Sequence, residues 1–201
     1  MSNLNAQNHI APAPFQSGAL PECALVDLTE VPRVGFRGTD STAYLLARGF
    51  LLPNAPNRAV TQADGSHVAQ LSQTEYLILG SLHDRGERIA DEEARWEMDH
   101  SANYLLPRED SHAWLQLSGD HVAHVMAKLC GVDLRPQAFP SGAVAQTSAA
   151  RINVIVINLG NTSTPAFQIL CDRASLEYFK EAILDAMGEY DGRLLGIEAL
   201  I

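Results

Sequence analysis

No apolar run in this 201-residue chain approaches the roughly 20 residues needed to span a bilayer, and its N-terminus lacks the apolar core of a signal peptide. A cytoplasmic protein without membrane contact is therefore expected. Basic residues are few. Lys and Arg number 14 against 24 Asp and Glu, a formal net charge of −10, and no Lys/Arg block stands out. Nucleic-acid affinity rests largely on neutralising phosphates, so that class of partner is disfavoured, as are anionic membranes. Cysteines are also scarce. Cys23, Cys130 and Cys171 are odd in number and widely spaced, which argues for reduced thiols over a disulfide framework. No G-x-S-x-G, G-x-G-x-x-G after a strand, G-x-x-x-x-G-K-[ST] or H-E-x-x-H occurs. The sequence thus offers no catalytic, cofactor-binding or metal-binding residue to assign.

What is present is a globular composition, 46% hydrophobic and 19% charged, and at this length about 70% of the unfolded surface is expected to be buried. The most informative stretch runs from Trp114 to Thr147, WLQLSGDHVAHVMAKLCGVDLRPQAFPSGAVAQT. Trp114, Gln116 and Ser118 alternate with Leu115 and Leu117, a strand period. Gly119 permits a sharp turn and Asp120 suits a helix start. Val122, Val125, Met126 and Leu129 follow at helical spacing, and Gly131 is expected as a left-handed cap. A fainter copy runs from Arg33 to Val60. Gly38 and Gly119 stand 81 residues apart, and Gly80 and Gly160 stand 80 apart. This register suggests duplication within one domain. Strands are expected at 23–28, 33–37, 59–62, 67–71, 75–79, 103–106, 113–117, 143–147, 152–158 and 166–171. Helices are expected at 40–47, 87–98, 120–129 and 175–187, with Gly188 as a stop. The expectation is an α+β fold of two ferredoxin-like β-α-β-β-α-β halves with mixed or antiparallel sheets. It places residues 22–108 and 109–190 in one compact domain, after a flexible arm at 1–21 and before an apolar tail at 191–201.

The run from a strand through Ser118-Gly119 to a helix ending in Cys130-Gly131, then AFPSGAVAQT, resembles the gamma subunit of heterotetrameric bacterial sarcosine oxidase. INVIVI and PAFQILCDRASLEYFKEAI are similar to the same family in order and spacing, so the resemblance covers roughly Val26 to Met187. It implies a noncatalytic chain within a flavin-dependent complex. That complex oxidises sarcosine to glycine and hydrogen peroxide and passes a one-carbon unit to tetrahydrofolate. FAD, FMN, NAD and tetrahydrofolate are then expected on the partner subunits (alpha, beta and delta), and none on this chain. More distantly, VDLTEVPRVGFRG and SHAWLQLSG are similar to the folate-binding T-protein of the glycine cleavage system. That likeness implies an alternative, a stand-alone folate-dependent aminomethyltransferase-like protein.

Several residues invite chemistry and also carry a plainer reading. His121 and His124, three apart on a helix, could chelate a metal, but no third ligand is in register, so solvated histidines are expected. Cys130 and Cys171 end apolar elements and read as core residues; a helix C-terminus would raise a thiol pKa. Asp91, Glu92, Glu93 and Glu97 read as a solvated helix face with Arg88 and Arg95 nearby, Glu93 and Glu97 repelling slightly. Phe139, between two prolines, is either a partner anchor or folded onto the core. Leu194, Leu195, Ile197, Leu200 and Ile201 either pack on the chain's own core or dock on another subunit. Trp114 is expected to be buried where the two halves meet.

Overall fold

The computed structural model describes residues 22–161 and 163–201, so the proposed N-terminal arm lies outside the described residues. Eleven strands and four α-helices follow one another within them. The elements are β1 (Ala24–Asp27), β2 (Arg33–Arg37), α1 (Ser41–Ala47), β3 (Arg58–Thr61), β4 (His67–Ser72), β5 (Glu75–Leu79), α2 (Glu87–Ala94) and β6 (Tyr104–Pro107). They continue as β7 (His112–Ser118), α3 (Val122–Leu129), β8 (Val144–Ala149), β9 (Ile152–Asn158), β10 (Ala166–Asp172), α4 (Leu176–Met187) and β11 (Arg193–Leu195). A five-stranded sheet has the order β3-β4-β5-β2-β6, and a six-stranded sheet the order β11-β1-β7-β10-β9-β8. Neighbours are antiparallel throughout, except that β11 runs parallel to β1.

The period-2 patterns explain the layers, because each central strand is apolar on both faces. On β7, Ala113, Leu115 and Leu117 join Val125 and Met126 of α3 and Phe179, Ile183 and Met187 of α4 in one core. Trp114, between them in sequence, points the other way, into a second core with Leu77 and Leu79 of β5. The alternate residues of β5, Tyr76 and Ile78, meet Leu45 of α1 and Ile89 of α2 in a third core. The layers therefore run helices, six-stranded sheet, five-stranded sheet, helices. Burial on both faces, not one, is what the apolar density of these strands required.

The α+β class stands. Three strands, not two, lie between the helices of each half, β3-β4-β5 and β8-β9-β10, so the expected β-α-β-β-α-β unit is one strand short. Two glycines behave alike. Gly38 follows β2 at φ +149°, and an added Cβ would lie 1.8 Å from Ala102 O, just before β6. Gly119 follows β7 at φ +113°, with its Cβ 2.1 Å from Glu22 O, just before β1. Other caps vary in their agreement with expectation. Gly131 is not left-handed; Cys130 already leaves α3 in extended conformation and bridges Ala149. Gly188 caps the last α-helix, which ends at Met187 as expected; a 3₁₀ turn over Gly188–Tyr190 follows, before a left-handed Asp191. The second helix ends at Ala94, four residues early. The C-terminal apolar cluster is divided: Leu194 and Leu195 are buried in the chain's own cores through β11, whereas Ile201 is 78% exposed.

Arg33, at the start of β2, is wholly buried, and among the described residues no carboxylate pairs with it. Its guanidinium donates to backbone carbonyls: Nη1 to Thr29 O (2.8 Å) and Val31 O (2.9 Å), Nε to His112 O (2.9 Å), and Nη2 to His112 O and Glu109 O. One side chain thus joins the β1–β2 turn to the link between β6 and β7. Burial pushes its pKa down, with the Glu109 carboxylate as the largest opposing influence. At the opposite edge Ala59 N donates to Gly142 O (2.8 Å) and Val144 N to Asn57 O (3.1 Å), so backbone stitches β3 to the entrance of β8. Arg33→Ala would take this donor from the carbonyls of Thr29, Val31 and His112, while Glu109 O keeps Arg173 Nη1 (2.8 Å), and is expected to cost roughly 3–5 kcal/mol. Arg33→Lys should recover only part, because an ammonium cannot reproduce the planar fork. Urea unfolding of the three proteins measures both effects.

Candidate functional site

Polar side chains enter the otherwise apolar space between the sheets at one end. Trp114, Gln116 and Ser118 are alternate residues of β7 and so share its inner face, and Gln168 of β10 stands directly opposite Gln116 in register. Trp114 Nε1 donates to Gln168 Oε1 (2.7 Å), and Gln168 Nε2 donates to Gln116 Oε1 (2.8 Å). His67 of β4 faces this pair from the other sheet. Two contiguous parts of a cleft, about 240 and 430 Å³, share His67, Gln116 and Gln168 in their linings. Ser81, His83 and Leu200 close the smaller part, while Ser118, Asp120 and Thr164 line the larger. Burial pushes His67 down to about 4, only partly opposed by the Asp64 carboxylate, so the ring is neutral at pH 7. Its Nδ1 lies 3.0 Å from Thr61 Oγ1. Asp64 itself is held down at about 2: hydrogen bonds from Arg88 and Ser66 outweigh the opposing desolvation.

The residues singled out in the sequence do not converge here. His121 stacks on Tyr190 (centroids 4.3 Å, 14°) and its Nε2 is 3.4 Å from Glu22, with the His124 ring 5.9 Å away. Lys128 completes that group by donating to Ala186 O (2.6 Å), with its ammonium 4.8 Å from the Tyr190 ring. These contacts pin α3 to the end of α4. Among the described residues no three His, Cys, Asp or Glu side chains gather as a metal site. All three cysteines are buried. Burial pushes the Cys171 thiol up to about 12, with Asp172 and Asp27 adding to it. Burial likewise raises Cys23 to about 11 against the pull of Lys128. Both shifts oppose formation of the thiolate at neutral pH.

The acidic series is not one solvated face. Asp91 pairs with Arg95 (2.9 Å) as expected, but Glu92 meets Arg48 (3.3 Å) and Arg88 turns away to Asp64 and the Phe50 ring. Glu93 is pushed up by burial and then by Glu109 and Asp110. Glu97 lies beyond the end of α2, so no i,i+4 repulsion arises. Phe139 is no exposed anchor. It is buried edge-on against Phe167 (5.8 Å), and its carbonyl accepts from Asn158 Nδ2 (2.7 Å). Trp114 is 2% exposed between the sheets, as expected.

Gln116, Gln168, His67, Arg33 and Lys180 escaped the sequence reading, although signals existed. Gln116 and Gln168 interrupt apolar strands. Lys180 stands on the apolar face of α4 between Leu176 and Ile183; its ammonium is held by Glu177 (2.8 Å) and Asp27 (3.3 Å).

This two-sheet arrangement is an α+β fold also found in two solved structures. Aminomethyltransferase T of the glycine cleavage system from Bartonella henselae superposes with a TM-score of 0.63 at 13% identity, covering 87% of this chain and 48% of that one. A chain of the heterotetrameric sarcosine oxidase from Corynebacterium sp. U-96, in complex with pyrrole 2-carboxylate, gives 0.68 at 24% identity, over 86% and 87%. Sarcosine oxidase subunit gamma of Corynebacterium sp. strain U-96 is 29% identical over 156 residues, 76% of this chain and 71% of its own. The gamma subunits from Corynebacterium sp. strain P-1 and Arthrobacter sp. are 25% and 26% identical over 186 residues, 90% of this chain and 88% of theirs. No protein-family model matches the chain. The chain is thus similar in sequence and in fold to the sarcosine oxidase gamma subunits.

Two outcomes follow for the cleft. Trp114→Ala removes a buried indole and should cost roughly 3–5 kcal/mol. Trp114→Phe, which orphans Gln168 Oε1 but retains most of the volume, should cost about 1–3 kcal/mol. Denaturant midpoints check both; an unshifted midpoint for the alanine variant would contradict the burial. His67 has a folded pKa below its ordinary 6.5, so the unfolded chain binds more protons between pH 6.5 and 4. Its contribution is complete above pH 6.5 and is lost as pH falls toward 4, with a slope of at most about 1.4 kcal/mol per pH unit. His112, lowered by burial, acts in the same sense, and Glu93, raised, acts in the opposite one. The contribution of Asp64 is complete above pH 3.8 and is lost only as pH falls from there toward 2, below this window. Urea unfolding across pH 4–7 should therefore fall less steeply for His67→Gln than for wild type.

Proposed function

We propose that this chain is the structural gamma-type subunit of a heterotetrameric sarcosine oxidase and performs none of the chemistry itself. The observation that carries the reading is that similarity to three gamma subunits extends over 76% to 90% of the chain and 71% to 88% of those proteins. The complex would oxidatively demethylate sarcosine to glycine, hydrogen peroxide and a one-carbon unit accepted by tetrahydrofolate. FAD, FMN, NAD and tetrahydrofolate belong on the alpha, beta and delta partners in this reading, and the assembly is cytoplasmic. Among the described residues no helix is long and apolar enough to cross a membrane.

The physical contribution of such a subunit is shape. Two sheets packed through an apolar interior and flanked by helices form a stiff block, since cores at crystal-like density deform little. We read residues 22–190 as one domain whose halves, about 22–108 and 109–190, share a duplicated β-α-β-β-β-α run, β2-α1-β3-β4-β5-α2 and β7-α3-β8-β9-β10-α4. The matched strand orders β3-β4-β5-β2 and β8-β9-β10-β7 support that reading, as do Gly38 and Gly119. The likeness to aminomethyltransferase T favours a second reading, a folate-dependent transferase. It is weaker because the chain spans about half of that protein.

Co-expression tests the first reading. Produced with the alpha, beta and delta chains, this protein should elute in one assembly that forms hydrogen peroxide from sarcosine, and alone it should hold no flavin. Sarcosine oxidation or flavin retention by the isolated chain would refute the noncatalytic role. Calorimetry separates the alternative, which requires tetrahydrofolate to bind the isolated chain at about 100 μM or below.

A further inference from the structure

We infer that the cleft between the sheets is a binding site for a small, uncharged, planar molecule bearing a carbonyl acceptor, a property independent of the subunit role. The argument begins with the polarity of the hydrogen-bond chain. An indole N–H can only donate, so Trp114 fixes Gln168 with Oε1 toward it (2.7 Å). Gln168 Nε2 must then face Gln116 Oε1 (2.8 Å). That orients Gln116 in turn, and its Nε2 carries two N–H groups with no protein acceptor among the described residues. The orientation of both amides is thus dictated by chemistry, and the chain ends in donors that line both parts of the cleft.

Ser118 supplies an independent observation. It is only 7% exposed, its Oγ has no hydrogen-bond partner among the described residues, and it lines the same cleft two residues along β7 from Gln116. A buried hydroxyl left unpaired costs free energy that a ligand would recover. The ligand's charge follows from the lining. Lys and Arg are absent from the described lining residues, while Asp120 and Glu22 stand at the rim, so an anion finds no counter-charge. The two carboxylates of the lining are exposed, so a cation moved in beside the Gln116 N–H groups would be desolvated without a buried counter-charge. A neutral carbonyl satisfies the donors without desolvating a charge. The smaller part, about 240 Å³, suits a ring with one substituent, below the usual span of about 300–1,000 Å³ for larger ligands.

The test is an NMR titration of the ¹⁵N-labelled full-length chain with benzamide as the probe, reading the side-chain amides of Gln116 and Gln168 and the Trp114 indole N–H. Saturable shifts of all three signals at millimolar benzamide are expected, with benzoate and benzylamine binding at least about tenfold more weakly. Ser118→Ala and Gln116→Leu should each weaken benzamide, the latter by about tenfold, the worth of one hydrogen bond from an aimed donor. An unchanged Trp114 indole signal in each variant establishes that it is folded, and Ser118→Ala, which removes one unpaired atom, decides if Gln116→Leu does not fold. No saturable shift, equal binding of benzoate, or benzamide affinity unaltered in Ser118→Ala would overturn the proposal.

Discussion

A buried guanidinium bonded to backbone carbonyls, and to no carboxylate among the described residues, constrains the whole molecule. Arg33 fulfils its donors with carbonyls of Thr29, Val31, Glu109 and His112, which lie on two chain segments that meet only after folding. A buried charge is tolerated when every donor is satisfied and is costly otherwise. The β1–β2 turn and the β6–β7 link therefore have one permitted arrangement relative to each other. Because β1 and β7 are neighbours in one sheet while β2 and β6 are neighbours in the other, that arrangement also sets how the sheets face each other. The backbone bonds between 57–59 and 142–144 close the opposite edge, so the apolar interior is fastened from two sides.

Between those fastenings the interior changes character along its length. At the Trp114 end the inner face of β7 passes from indole to amide to hydroxyl in three alternate residues. The polar groups are kept in place by cross-strand register instead of by loops. Such a site is rigid, since moving Gln116 or Gln168 requires shifting strands at the centre of a six-stranded sheet. The same rigidity suits a protein whose homologues are subunits of a larger enzyme. A partner surface gains most from a block that loses little freedom on docking.

The α+β class was legible because alternation and helical spacing are local properties. Most strands were placed to within a residue or two, and the apolar stripe of α4 through Phe179, Ile183 and Met187 proved to be its buried face. Turn glycines were legible for the same reason: Gly38 and Gly119 adopt φ values that a side chain resists. The caps were less so. Gly131 stands where local rules favour a left-handed residue, yet Cys130 is drawn off the helix to bridge Ala149, whereas Gly188 caps α4 as its position suggests. Tertiary pairing outweighed local preference at Gly131.

The sequence alone determined which residues alternate, where the chain must turn, and a resemblance to gamma subunits carried by turn and packing residues. It left Phe139 and the C-terminal leucines with two destinations each, because an apolar side chain has no preference between its own core and a partner. It did not mark Arg33, Gln116, Gln168 or His67, since a polar residue in an apolar strand acquires meaning only from the groups opposite it. Only the tertiary structure brought those groups within hydrogen-bonding distance, across as many as 79 residues of chain in the case of Arg33 and His112. The physical reason is the range of the forces. Steric and periodic preferences act between near neighbours in sequence, whereas hydrogen-bond satisfaction in a core is settled by whichever segments packing brings together.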